Sequence, residues 1–298
     1  MTQNKSMLTY AALGAGVLAL SLSAMFIRWA DAPGPVTAFY RVFFSLFLLL
    51  PFFLPRAKQN PLTLTRAMWF PLFAGFFSAG DLALWTTSLA YTTASNATLL
   101  GNTAPLWVAL GTWLIFKRKL NSVFWRGLGF TLAGALLIMG ADFLLHPRFG
   151  IGDLMATFTG VFFGGYYLFT EKSRARFDTI SHIWFVGVGA SAGLFAANLA
   201  MKHPLSGFDA RTWFIFLASA IVSQLIGYMA LAYALGHLPA SVVAPTMVLQ
   251  PVATTLLAVP LLGEIPTIWQ GIGGAIALTG IYIINRSYQT TSPKTSNI

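Results

Sequence analysis

The chain has 298 residues, 56% of them hydrophobic and 9% charged, with a formal net charge of +10 and no cysteine. An ordinary soluble domain carries roughly 25% charged residues, so a water-covered globule is excluded, and without cysteine there is no disulfide framework, thiolate metal site or cysteine nucleophile. The basic residues sit in short clusters between long apolar runs, the pattern of cytoplasmic loops in a membrane protein, and no basic stripe or base-stacking module points to nucleic acid.

About 20 apolar residues cross a bilayer core. On that ruler the first run, 7–29, is too long for the apolar region of a cleavable signal, which spans about 7–15 residues, and it reads as a retained transmembrane helix. The second, 35–54, carries Arg41 well inside it. That cation has three readings: snorkelling outward along its own stem, holding a substrate carboxylate, or pairing with an acid at similar depth. The third run, 68–91, supplies such an acid. Asp81 lies about ten residues, or ~15 Å, from the outer end, and Ser78, Asp81, Trp85 and Ser88 share one helical face. Ionisable groups inside a span cost about 2.5–3.5 kcal/mol on insertion scales. Asp81 is therefore read as a cation or proton site in a wet cavity, or as a neutral acid hydrogen-bonded between helices.

The fourth run, 93–116, holds Asn102, Thr103, Pro105 and Trp107; the fifth is 123–141. Deep in their helices, Trp85 and Trp107 are candidates for a cavity wall or for ordinary packing, whereas the other tryptophans lie near span ends, as an interfacial belt requires. The sixth run, 150–170, contains Tyr166 and Tyr167. The seventh, 180–201, contains Gly189-Ala190-Ser191-Ala192-Gly193, which matches a serine-nucleophile pattern but lacks a nearby base and reads as a packing stripe. Gln224 and Tyr228 fall in the eighth, 211–235. The ninth, 239–262, carries Gln250 and Pro251, and the tenth, 266–285, precedes a polar tail at 289–298. Pro105 and Pro251 each remove one helical hydrogen bond, so a kink is expected at both.

With the N-terminus inside, thirteen Lys and Arg fall on the cytoplasmic side and four outside, which places both termini in the cytoplasm. The halves also repeat: Ala94-Ser95 through Pro105 to Gly134 aligns with Ala240-Ser241 through Pro251 to Gly280 at a constant offset of 146. Five helices per half is an odd number, so the second repeat is inverted. Arg118, in the basic Lys117-Arg118-Lys119, then stands opposite Glu264, as expected of one cytoplasmic and one external connection. The expected architecture is an all-α integral membrane protein of ten transmembrane helices, with a first repeat at 1–145, an inverted second repeat at 146–288 and a cytoplasmic tail at 289–298.

The block Ala-Ser-Asn-Ala-Thr-Leu-Leu-Gly-Asn-Thr-Ala-Pro-Leu-Trp at 94–107 resembles the fourth helix of EamA-type members of the drug/metabolite transporter superfamily. Its second copy at 240–251, the Leu-Leu-Gly-Glu of 261–264, Gln270-Gly271 and Arg41 are similar to that family too. The resemblance implies a central cavity lined mainly by the third, fourth, eighth and ninth helices, with parts of the first and sixth. It leaves the substrate open, since members carry amino acids, drugs, sugars and nucleotide derivatives; bacterial exporters of aromatic and other neutral amino acids are similar in general build. The first repeat departs from the pattern, with a basic cluster where many members keep Gly-Glu.

The expectation is a secondary transporter of the bacterial inner membrane that exports a small molecule by alternating access, not an enzyme. No phosphate-cradling motif is present, no cofactor or metal is called for by the dispersed histidines, and protons are a candidate coupling ion. The expected substrate-binding set is Asp81, Trp85, Trp107, Asn102, Ser78, Tyr166, Gln224 and Tyr228, with Asp81 and Arg41 as a coupling or charge pair. One deep acid, one deep cation and aromatic faces suit a neutral amino acid, aromatic ones included. The alternatives are another metabolite or drug, or, from a different class, an intramembrane enzyme or a non-transporting scaffold.

Overall fold

The computed structural model describes residues 3–59, 66–88, 90–92, 97, 100–139, 150–262 and 267–291. Every regular element among them is helical. In chain order these are α1 (Gln3–Ser21), α2 (Ser23–Trp29), α3 (Gly34–Gln59), α4 (Trp69–Ser88), α5 (Ala104–Leu114), α6 (Ser122–Met139), α7 (Ile151–Arg174) and α8 (Thr179–Ala200). They continue with α9 (Ala210–Ser219), a π-helical stretch (Ala220–Tyr228), α10 (Met229–Leu235), α11 (Ala240–Met247), α12 (Leu249–Leu262) and α13 (Ile268–Thr291). A lipid-facing backbone must bond to itself, which leaves the helix as the solution for apolar runs of this length. Five stretches are long and apolar enough to cross a membrane: Met7–Trp29, Gly34–Lys58, Thr179–Ala200, Ala210–Leu235 and Ile268–Tyr288. Shorter apolar helices lie at Ala104–Leu114, Ser122–Ile138 and Ala240–Thr254. Most of the 93–99 segment, Glu264 with its connection, residues 140–149 and the tail past Thr291 lie outside the described residues.

Aspartates start two of the helices. Asp178 accepts from the Ile180 and Ser181 amides ahead of α8, and Asp209 from the Thr212 amide ahead of α9. Each satisfies amides that a helix start leaves without intrahelical partners.

Packing is closest where glycine removes the side chain. At the crossing of α6 and α13, a Cβ on Gly134 would lie 2.5 Å from the Gly273 carbonyl oxygen, and one on Gly280 would lie 2.5 Å from that of Gly127. As 127 pairs with 280 and 134 with 273, the helices run antiparallel. The aligned halves equate Gly127 with Gly273 and Gly134 with Gly280, so the crossing joins equivalent helices in a reciprocal, two-fold manner.

The bundle has two distinct ends. At one, Arg118 pairs with Glu171 at 2.7 Å, Arg56 with Asp178 at 3.5 Å, and the Ala240 amide donates to Glu171 Oε2 at 2.8 Å. At the other, Thr92 Oγ1 donates to Asp153 Oδ1 at 2.6 Å, the Asp31 amide to Thr212 Oγ1 at 3.3 Å, and the Tyr40 hydroxyl to the Leu205 carbonyl. The first end is rich in basic residues, and the second holds the connections that follow Trp29, Ser88 and Ala200.

Candidate functional site

A cavity of about 340 Å³ lies between the halves, walled by α1, α2, α3, α4, α6, α7, α12, α13, residues Gly101 and Asn102, and the π-helical stretch. Its polar lining includes Ser21, Ser23, Arg41, Asp81, Asn102, Thr159, Tyr228, Gln250, Thr254 and Gln270, with Trp85 and Phe163 as aromatic walls. Arg41 is 4% exposed and Asp81 7%, so an unlike pair of ionisable groups is carried deep in an apolar bundle and opens onto the same space.

Arg41 reaches its position from the second turn of α3. Its Nη1 donates to Ser23 Oγ at 2.5 Å, and its guanidinium carbon lies 5.7 Å from the Tyr228 ring centroid. Nε and Nη2 are buried without a hydrogen-bond partner among the described residues. Asp81, midway along α4, accepts no hydrogen bond among the described residues, and no ion pair within 4.0 Å joins it to Arg41 there. Both groups border the same cavity without touching. That leaves room for a solute to contact both.

The breaks before the two prolines shape the wall. The helix is interrupted at Asn102–Thr103, and Pro105 stands in the first turn of α5. Likewise α11 ends at Met247, and Pro251 stands in the first turn of α12. A first-turn proline costs no hydrogen bond, because amides there have no intrahelical acceptor. At the first break Leu100 O accepts from both the Thr103 amide at 3.2 Å and Thr103 Oγ1 at 2.6 Å.

Of the residues singled out in the sequence, Arg41, Asp81, Trp85, Asn102, Tyr228, Gln250, Pro251 and Gln270 line the cavity. Ser78 is buried, about one helical turn from Asp81 on the same face of α4. Tyr166 lies beneath, fully buried, its ring 5.5 Å from that of Tyr228. Gln224 is also buried, with Oε1 unpartnered among the described residues. Trp107 is turned onto α7: a Cβ on Gly164 would lie 2.8 Å from its Cβ, and its Nε1 donates to Thr103 Oγ1 at 3.2 Å. Pro105 stays in the α5 core. Sequence reasoning missed Ser21, Ser23, Thr159, Phe163 and Thr254 as lining residues. Thr254 is one helical turn from Gln250, and Thr159 and Phe163 share the α7 face that carries Tyr166, so helical spacing was the available signal.

The Gly189–Gly193 motif faces α4. A Cβ on Gly193 would lie 2.7 Å from Ala79 Cβ, and one on Gly189 3.0 Å from Leu72 O. Ser191 Oγ is buried without a partner among the described residues, so no base is in hydrogen-bond reach of it there.

Apolar spans, helices broken at first-turn prolines and a polar cavity between two similar halves define a multi-pass membrane protein built around a central cavity. The EamA-like transporter family matches the chain twice, over residues 7–140 and 150–286, and the chain belongs to that family of membrane transporters. An uncharacterized transporter of Archaeoglobus fulgidus is 27% identical over 83% of this chain and 86% of its own length. A Streptantibioticus cattleyicolor protein described as a "probable terminal-alkyne amino-acid exporter" is 22% identical, over 65% of this chain and 64% of its own length. A solved crystal structure superposes with a TM-score of 0.77 at 18% identity, over 96% of this chain and 99% of that one, a likeness of fold.

Proposed function

We propose that this protein is a secondary transporter that exports neutral amino acids, aromatic ones included, across a bacterial plasma membrane by alternating access. The observation that carries the reading is the unlike pair Asp81 and Arg41, buried on the contacting helices α4 and α3 and both lining the cavity. A zwitterion places its ammonium toward Asp81 and its carboxylate toward the Arg41 guanidinium. Its side chain meets the Trp85 and Phe163 walls. The S. cattleyicolor relative supports the substrate class by its name.

The architecture that goes with this reading is ten spans in two inverted five-helix repeats, 1–145 and 146–288, with both termini and the 289–298 tail in the cytoplasm. The reciprocal antiparallel glycine crossing of α6 and α13 supports the inversion, and the basic end of the bundle is then the cytoplasmic one. A proton, if coupled, binds at Asp81. In this conformation the cavity lies toward the outer half, since Trp85 and Ile138 stand near the outer ends of α4 and α6.

The test is uptake and counterflow of radiolabelled amino acids in liposomes holding the purified protein. Tryptophan, phenylalanine and leucine should exchange, whereas a sugar phosphate should not. Accumulation of the sugar phosphate without the amino acids would overturn the substrate assignment.

A further inference from the structure

Helical Ser and Thr buried in apolar surroundings ordinarily return their hydroxyl to the carbonyl one turn earlier. Thr131 does so to Gly127 O at 2.9 Å, Thr246 to Val242 O at 2.9 Å and Thr86 to Leu82 O at 2.7 Å. Not every hydroxyl follows this rule: Ser191 on α8 and Ser223 in the π-helical stretch are buried without a partner among the described residues, and so are four hydroxyls of α7, three of which lie on one face. Thr159 and Thr170 are 3% and 0% exposed, yet neither Oγ1 has a hydrogen-bond partner among the described residues. The same holds for the hydroxyls of Tyr166 and Tyr167, which are 0% and 1% exposed. Positions 159, 166, 170 and 173 recur near multiples of a helical turn, so they form one continuous stripe.

The stripe has a beginning and an end. Thr159 lines the cavity. Tyr166 stands below the cavity wall with its ring 5.5 Å from that of Tyr228, and Thr170 follows about one turn later on α7. Roughly 21 Å along α7 from Thr159, Ser173 Oγ meets His182 Nδ1 at 2.8 Å, and His182 Nε2 is again buried and unpartnered among the described residues. Buried hydroxyls nearly always find a partner, and each one left without costs free energy. Several in line, leading from a cavity toward the far end of the bundle, need a state in which they are satisfied.

The far end is closed by polar contacts that water can replace. Glu171, beside Thr170 on the same helix, bonds Arg118 at 2.7 Å and the Ala240 amide at 2.8 Å, and Arg174 Nε donates to Ala232 O at 3.0 Å. These tie α7 to the connection after α5 and to the start of α11.

Building on the transporter reading, we infer that the α7 stripe from Thr159 to Ser173 lines the second half of the translocation path. It is dry here, it is wetted when the basic end opens, and Glu171 is the latch that holds it shut. The solute that leaves the Asp81–Arg41 chamber then passes over the tyrosine hydroxyls toward His182.

The chain has no cysteine, which permits a direct test. Thr170→Cys and Ser173→Cys, each alone and each combined with Glu171→Gln, are exposed in oriented membrane vesicles to a membrane-impermeant maleimide applied from the basic-loop side. Both cysteines should label, and several-fold faster with Glu171→Gln, while Leu194→Cys in the buried core should stay unlabelled in either background. Hydroxyl-radical footprinting of Tyr166 and Tyr167 in the otherwise unaltered chain should rise in step with Glu171→Gln, which covers poor folding of a cysteine variant. Labelling supports the inference whether or not a transported solute has been found. Amino-acid transport by a protein whose stripe stays as unreactive as Leu194→Cys in both backgrounds overturns it while leaving the transporter reading in place.

Discussion

Arg41 and Tyr228 meet at the cavity wall with the guanidinium carbon 5.7 Å from the ring centroid, and Asp81 opens onto the same space without an ion-pair contact to Arg41 among the described residues. Removing one member of a buried charge pair leaves the other uncompensated. Arg41→Ala is expected to lower folded yield and to stop transport, whereas Arg41→Ala combined with Asp81→Asn should recover yield without recovering transport. The coupling read from thermal unfolding of the singles and the double should fall within about 0.5–3 kcal/mol. Strict additivity would mean that the two charges do not sense each other.

The two deep tryptophans should separate cleanly. Trp85 lines the cavity, while Trp107 packs on Gly164 and donates to Thr103. Trp85→Ala should raise the KM for an aromatic amino acid several-fold at near-normal yield. Trp107→Ala should chiefly lower thermal stability, toward the lower part of the ~3–5 kcal/mol seen for large core aromatics, because its site is only partly buried. The reverse pattern would move the substrate to the α5–α7 side.

The glycine crossing predicts a contrast within one helix. A Cβ on Gly134 would fall 2.4 Å from the Ala277 amide nitrogen, whereas one on Gly129 meets nothing within 4 Å. Gly134→Val should therefore cost at least the 1–3 kcal/mol typical of overpacking, seen as a lower melting temperature in detergent. Gly129→Val should be nearly neutral. Equal effects would contradict the crossing.

Topology is testable on described residues at opposite ends of the bundle. Lys119 follows α5 and Lys202 follows α8, and both are exposed. Lys119→Cys should react with an impermeant maleimide only from the cytoplasm and Lys202→Cys only from outside. Reaction of both from one face would remove the ten-span, inverted arrangement.

How much of this was legible in the sequence depends on which physical signal each feature leaves. Asp81 and Arg41 stand out because an ionisable group in a span is costly, and both do reach the cavity. Tyr228 shares a helical face with Gln224, yet only Tyr228 lines the chamber. The intervening backbone is π-helical, with i→i+5 bonding that helical spacing does not anticipate. Trp107 is polar at one edge and deep in its helix, so composition could not tell that Gly160 and Gly164 leave a seat for it on α7. Pro105 and Pro251 read as kinks because each removes a donor. In the structure they follow breaks at Asn102–Thr103 and Val248, where the chain has already left the helix. Ser21, Ser23 and Thr254 were passed over because single hydroxyls in a span are common and carry no insertion penalty of note.

The central claim is that the Asp81–Arg41 chamber carries zwitterionic amino acids, and Asp81 is where it is most exposed to refutation. The measurement is counterflow of labelled phenylalanine in liposomes holding either the unaltered protein or Asp81→Asn, matched for folded protein by size-exclusion profile and melting temperature. The unaltered protein should exchange phenylalanine, with competition from unlabelled leucine and tryptophan but not from a compound lacking the ammonium group. Asp81→Asn should fold and fall at least tenfold in exchange rate, a loss equivalent to about 1.4 kcal/mol. Undiminished phenylalanine counterflow by well-folded Asp81→Asn would contradict the account.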